Sequence, residues 1–136
     1  MNMKIVTRML DDEVFEARDE KDNTVTIDMR KGDAKTNLSP TQLLLAALAG
    51  CGAVDIVSML KKRKKTIQSF VIETDGTRQD EAPRYFTKIH CLYIITSPDV
   101  TGEELTKVSA LALEKYCSVA SSIKSKITFS VEVRRP

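Results

Sequence analysis

The chain has 136 residues, 42% of them apolar and 29% charged, and its 21 Lys and Arg nearly balance 19 Asp and Glu for a formal net charge of +2. That length predicts one domain, residues 1–136, with enough chain for a proper core. So small a charge gives no footing for a nucleic-acid or acidic-surface partner. Three cysteines, Cys51, Cys91 and Cys117, form no close pair, which argues against a secreted disulfide framework and for a reducing cytoplasm. Structural zinc sites show close Cys pairs, so no metal is expected.

Met3 to Arg8 reads as a short strand, followed by a turn at Asp11-Asp12-Glu13. Val14–Arg18 and Thr24–Met29 read as a hairpin in which Val25, Ile27 and Met29 alternate with polar residues. Lys31–Leu38, with Gly32, Asp33 and Asn37, is a loop leading to the dominant feature of the chain. This is a long helix from Ser39 to Lys65, apolar around most of its circumference. Ser39, Pro40 and Gln42 give it an N-cap, an N1 proline and a capping box. Lys61 to Lys65 complement its C-terminal dipole and read as a solvated helix end.

Leu43–Leu60 is long enough to tempt a membrane assignment, but Asp55 interrupts it and strand-like segments flank it closely. Leu48-Ala49-Gly50-Cys51 resembles a lipoprotein cleavage box, yet about forty hydrophilic, strand-patterned residues precede it. Both readings give way to a buried helix. Because it is apolar all round, a single sheet covers only part of it, and a second subunit is expected to cover more.

Ile67–Arg78 and Tyr85–Ser97 are the next strands, joined by a turn through Asp80-Glu81-Ala82-Pro83. The second places Ile89, Cys91, Tyr93 and Ile95 on one face and Phe86, Leu92 and Ile94 on the other, so its second half is covered on both sides. Cys91 there reads as a small buried hydrophobe, and His90, on the opposite face, has no partner in sequence. Thr101–Tyr116 is a second helix, with Thr101 and Glu104 as a capping box and Leu105, Val108, Ala112 and Tyr116 at helical spacing. Ser118–Ile123 suggests a further short helical turn, and Lys126–Arg134 closes the chain as an alternating strand. This order is α+β, not a strictly alternating parallel fold.

Cys51 shares its helix face with Leu44, Ala47, Leu48, Asp55, Ser58 and Lys62. Asp55 and Ser58 are the only oxygen-bearing side chains between Leu43 and Leu60, and both lie beside the thiol. This clustering favours a functional thiol over a passive core residue. Its electrostatics need help from elsewhere. Cys51 lies roughly 16 Å past the helix start, beyond useful reach of the dipole, and an ionised, unpaired Asp55 would raise its pKa. A cation must therefore come from another element; Arg8, Arg18, Arg30, Arg78 and Arg84 are the candidates. Cys117 lies at the start of the short Ser118 helix, a setting that activates a thiol.

Ser39-Pro40-Thr41-Gln42-Leu43, with Ala46-Ala47 and Cys51, resembles the central-helix motif of the OsmC/Ohr family. Glu114-Lys115-Tyr116-Cys117-Ser118-Val119-Ala120 resembles its second cysteine motif, and Glu81 through Thr87 is similar to its YhfA-like branch. The resemblance implies an OsmC-like fold: N-terminal antiparallel strands, a long buried central helix, two strands, a second helix and a C-terminal strand, in an intertwined homodimer. It implies a cofactor-free, thiol-dependent peroxidase in oxidative-stress defence, reducing organic hydroperoxides. Cys51 would be the peroxidatic thiol and Cys117 the resolving one, with an external dithiol, such as a dihydrolipoyl group, as reductant. Leu44, Leu48 and Val54 would favour an organic peroxide.

Two departures from the family pattern stand out. Thr41 occupies the position of an acid in the hydroperoxide-resistance branch, and Gln42, which aligns with an acid of other branches, reads as a cap. Only Arg8 lies near where the family's catalytic arginine is expected. These leave an alternative open, in which the chain is a non-catalytic dimer binding a hydrophobic small molecule. Hydrolysis or acyl transfer through Cys51 has little support from the lone His90.

Overall fold

The computed structural model describes residues 1–136, which group into two compact units, Met1–Leu44 and Leu45–Pro136. In the N-terminal unit, β1 (Val6–Asp11), β2 (Val14–Arg18) and β3 (Thr24–Asp28) form an antiparallel meander. The first strand sits further along than its composition suggests, because pairing decides it. Val6 lies opposite Arg18 and Asp11 opposite Val14, and the turn tightens to Asp12-Glu13, with Glu13 left-handed at φ 61°. Every residue of β1 is exposed. Beyond β3, buried Asp28 organises the loop. Its carboxylate accepts from Arg30 Nε at 3.0 Å and Nη2 at 2.8 Å, and from the Thr36 and Asn37 N–H groups at 2.8 and 3.2 Å. Arg30 beside it, aided by those N–H groups, holds this carboxyl well below the usual range.

α1 (Pro40–Lys62) starts in this unit and runs into the next. The capping box forms as its sequence implies: Gln42 N–H donates to Ser39 Oγ at 3.4 Å and Ser39 N–H to Gln42 Oε1 at 2.9 Å. Only Leu48, Gly52, Ile56 and Leu60 are fully buried, a single stripe with a four-residue repeat. The helix is long and apolar enough to cross a membrane by length and composition, but this stripe is packed against protein, with Gly52 seated on Tyr93.

The C-terminal unit is built on a mixed sheet in the order β4-β5-β6 (Ser69–Arg78, Phe86–Thr96, Lys126–Arg134). β4 runs antiparallel to β5, whereas β6 runs parallel to it, so a crossover is required, and α2 (Gly102–Leu111) supplies it. Central β5 buries Ile89, Cys91, Tyr93 and Ile95 completely. Phe86 departs from simple alternation. A register shift at Thr77/Arg78 turns it onto the core face, where its ring fills the space a side chain at Gly76 would need, 2.5 Å from a Cβ built there. The α2 capping box forms by half. Glu104 N–H donates to Thr101 Oγ1 at 3.1 Å, but the Glu104 carboxylate turns to Arg63 and Lys65 at the end of α1.

The second helix does not stay α-helical to Tyr116. It widens at Ala112–Tyr116 into a π-helical turn, closed by Cys117 N–H donating to the Ala112 carbonyl at 2.7 Å. A four-residue helix, α3 (Ser118–Ser121), follows. The extra residue in the turn sets where Cys117 lies, and single π turns of this kind recur at functional sites.

Candidate functional site

Three elements of the C-terminal unit bring the three thiols together. α1 carries Cys51, which is half-buried; β5 carries Cys91 and the π-turn corner carries Cys117, both fully buried. All three are free thiols. Cys51 neighbours Cys117 closely enough to act on its titration. Cys117 Sγ accepts from Ala120 N–H at 3.4 Å. Burial first, and then the neighbouring Cys51, push the Cys117 thiol up, against a smaller opposing pull from Ala120 N–H. The pair is asymmetric in burial: Cys117 is fully buried and Cys51 half-buried. The expected short helix does form at Cys117, yet burial outweighs its N–H groups.

Below the pair lies Tyr93, fully buried, its ring flanked by Phe70 and Phe129 at centroid distances of 6.0 and 6.2 Å. Its hydroxyl reaches α1 at Gly52, where an added Cβ would lie 3.0 Å from Oη. Tyr93 Oη has no hydrogen-bond partner, and neither has Thr74 Oγ1, which lies opposite Cys91 in the sheet. Burial and the neighbouring thiols Cys91, Cys117 and Cys51 push the phenol far up. Burial likewise raises Cys91, moderated by Tyr93 and Thr74.

Asp55 is one turn on from Cys51 and lines an open cleft of about 250 Å³ with Ser58, Met59, Lys62 and Tyr116. The polar stripe of α1 thus borders the residue preceding Cys117. A larger cleft of about 470 Å³ in the N-terminal unit is lined by residues such as Thr26, Lys35 and Asn37 and holds no thiol.

The remaining residues singled out from the sequence are placed as follows. Leu48 is fully buried, Leu44 half-buried and Val54 70% exposed. Thr41 Oγ1 lies 3.4 Å from Ser39 Oγ. Arg8 pairs with Glu16 at 3.4 Å, Arg18 with Glu16 and Asp22, and Arg30 with Asp28. Arg78 Nε and Arg84 Nε donate to the carbonyls of Arg84 and Asp80 at 2.6 and 2.9 Å. His90 lies between Thr128 Oγ1 and Ser130 Oγ, at 2.7 and 2.8 Å. Sequence reasoning missed the roles of Tyr93, Gly52 and Thr74. The available signals were Tyr93 two residues from Cys91, hence on its face, and a glycine directly after the helix thiol.

The chain is thus a mixed α+β protein with one thiol on a long central helix and a second at a helix corner. The family described as OsmC-like protein matches residues 31–132. Protein YhfA of Escherichia coli K12 is 35% identical over 111 residues, covering 80% of this chain and 81% of that one. The chain belongs to the OsmC-like family. Its fold matches that of an OsmC-like protein from Mycoplasma pneumoniae, with a TM-score of 0.83 at 20% identity and 98% of each chain covered. The organic hydroperoxide resistance protein OhrB of Bacillus subtilis also aligns over 98% of each chain, with a TM-score of 0.64 at 20% identity.

Proposed function

We propose that this protein is a cytoplasmic, homodimeric thiol peroxidase that reduces organic hydroperoxides in oxidative-stress defence. The observation that supports the reading is the nearness of a half-buried Cys51 on α1 to a fully buried Cys117 at the π-turn corner. The Cys51 thiolate attacks one oxygen of the peroxide, the O–O bond breaks, and the alkoxide leaves and takes up a proton as the alcohol. Cys51 is then a sulfenic acid. The Cys117 sulfur attacks it, water leaves, and a Cys51–Cys117 disulfide forms. An external dithiol returns both thiols by exchange and is itself oxidised to its disulfide. The likeness of the fold to organic hydroperoxide resistance proteins such as OhrB of Bacillus subtilis supports the substrate class. The exposed apolar residues of β1 and α1, among them Val6, Met9, Leu10 and Val54, support a second copy as the partner.

The second reading is a non-catalytic dimer that binds a hydrophobic small molecule. It is favoured by the arginines of the thiol-bearing unit, which are committed to carbonyls and carboxylates elsewhere.

Reduced protein treated with one equivalent of an organic hydroperoxide and a sulfenic-acid trap, then mapped by peptide mass spectrometry, separates the two. Peroxidase chemistry gives a Cys51–Cys117 disulfide in the wild type and long-lived label on Cys51 in Cys117→Ser. Both thiols remaining reduced would refute it in favour of the binding reading.

A further inference from the structure

A buried hydroxyl with no partner is costly, because its desolvation is uncompensated. Tyr93 Oη is such a group, fully buried and unpaired, and it is aimed at the one place in the fold where thiols converge. Two features hold it there. Phe70 and Phe129 flank the ring, and glycine at position 52 leaves the space beside Cys51 that a Cβ would take, 3.0 Å from the hydroxyl. A phenol can donate one hydrogen bond, and a neutral thiol is a weak acceptor for it. A thiolate is a strong one.

We propose that Tyr93 is a positioning residue of the Cys51–Cys117 pair, its free hydroxyl donating a hydrogen bond to the sulfur that carries negative charge during the cycle. The inference rests on the peroxidase reading only for its use in turnover; stabilisation of the anion stands apart from the oxidant. The titratable groups facing the hydroxyl are Cys51 from α1, Cys91 from β5 and Cys117 from the π-turn corner, with Asp55 one helical turn beyond Cys51. Cys91, on the same strand face, is the rival acceptor within reach of the hydroxyl; burial raises it and keeps it neutral, so it accepts only weakly beside an ionised sulfur of the pair. The phenol itself is pushed too far up to lose its proton, so Tyr93 acts as a donor and not as a base. A dipole from this buried ring thus supplies part of the stabilisation that an arginine would otherwise give.

The test is Tyr93→Phe, which keeps the ring and removes only the oxygen. The rate of iodoacetamide alkylation of Cys51 is followed from pH 5 to 10, resolved from Cys91 and Cys117 by peptide mass spectrometry, together with the melting temperature. The variant should shift the apparent pKa of the pair up by about one unit, seen as alkylation about tenfold slower on the acid limb with an unchanged alkaline plateau. Its melting temperature should equal or exceed that of the wild type, since no bond is lost. An unchanged profile overturns the proposal. So does a clearly lowered melting temperature, which would mean the hydroxyl has a structural partner. A shifted profile in a protein whose wild type shows no peroxide turnover keeps this inference and removes the peroxidase reading.

Discussion

Val54 gives the sharpest test of what covers α1. It is 70% exposed within one chain, on a helix whose fully buried residues form one stripe. If a second copy packs over this helix, Val54 loses that exposure on assembly. Val54→Ala removes two methylene equivalents, each worth about 0.8 kcal/mol when buried. Scaled by its exposure, the loss is about 1 kcal/mol per copy. A two-fold interface counts the change twice, so the dimer weakens by about 2 kcal/mol, or about 30-fold in Kd. The fold of each chain should be little affected, because the side chain contributes little to the core of its own chain. Sedimentation equilibrium over a wide concentration range reads the dimer Kd of both proteins. A Kd within twofold of the wild type, or a wild type that is monomeric at micromolar concentration, would refute the reasoning.

Other substitutions probe the interior. Ile56→Ala, in the fully buried stripe, should cost about 2–5 kcal/mol in chemical denaturation through lost transfer energy and a cavity. Gly52→Ala gains about 1 kcal/mol of helix propensity but sets a methyl 3.0 Å from a hydroxyl on a flanked ring, at an overpacking cost of about 1–3 kcal/mol. It should melt at or below the wild type, and a clear rise would show that Tyr93 moves freely. Asp28→Asn should lower the melting temperature at neutral pH. The folded-state pKa of Asp28 is depressed, chiefly by Arg30. Its contribution is therefore complete above the ordinary carboxylate range, about pH 4, and fades as pH falls below it. Melting curves of the two proteins should thus converge in acid, and a constant gap would refute the assignment.

Much of the architecture is legible in the sequence because local rules decide it. The capping box at Ser39-Pro40-Thr41-Gln42 forms as its spacing implies, and β6 occupies the stretch its alternation marks, Lys126–Arg134. The departures occur where a distant partner decides. β1 is set by its register with β2, and Phe86 changes face because a bulge breaks the two-residue period. A 3.6-residue period cannot anticipate the π turn at Ala112–Tyr116, because the pattern of apolar residues continues through it. The site was legible in part for the same reason. Cys51, Asp55 and Ser58 share a helix face by spacing alone, but the depth of Cys117 and the lack of a partner for Tyr93 Oη are properties of packing.

That packing changes how the charge problem of Cys51 is posed. From sequence, the helix holds a thiol and needs a cation. In the structure, the donor that meets a thiol is neutral, the Ala120 N–H at Cys117 Sγ, and so is the donor proposed above, the unpaired Tyr93 O–H. Neutral dipoles fixed in a buried site avoid the desolvation cost of a cation, and they interact with an anion more strongly than in water. They stabilise it only when it exists, so Cys117, raised by burial, keeps its proton until a reaction draws on the pair. A site of this kind trades thiol reactivity at rest for control of where the negative charge appears.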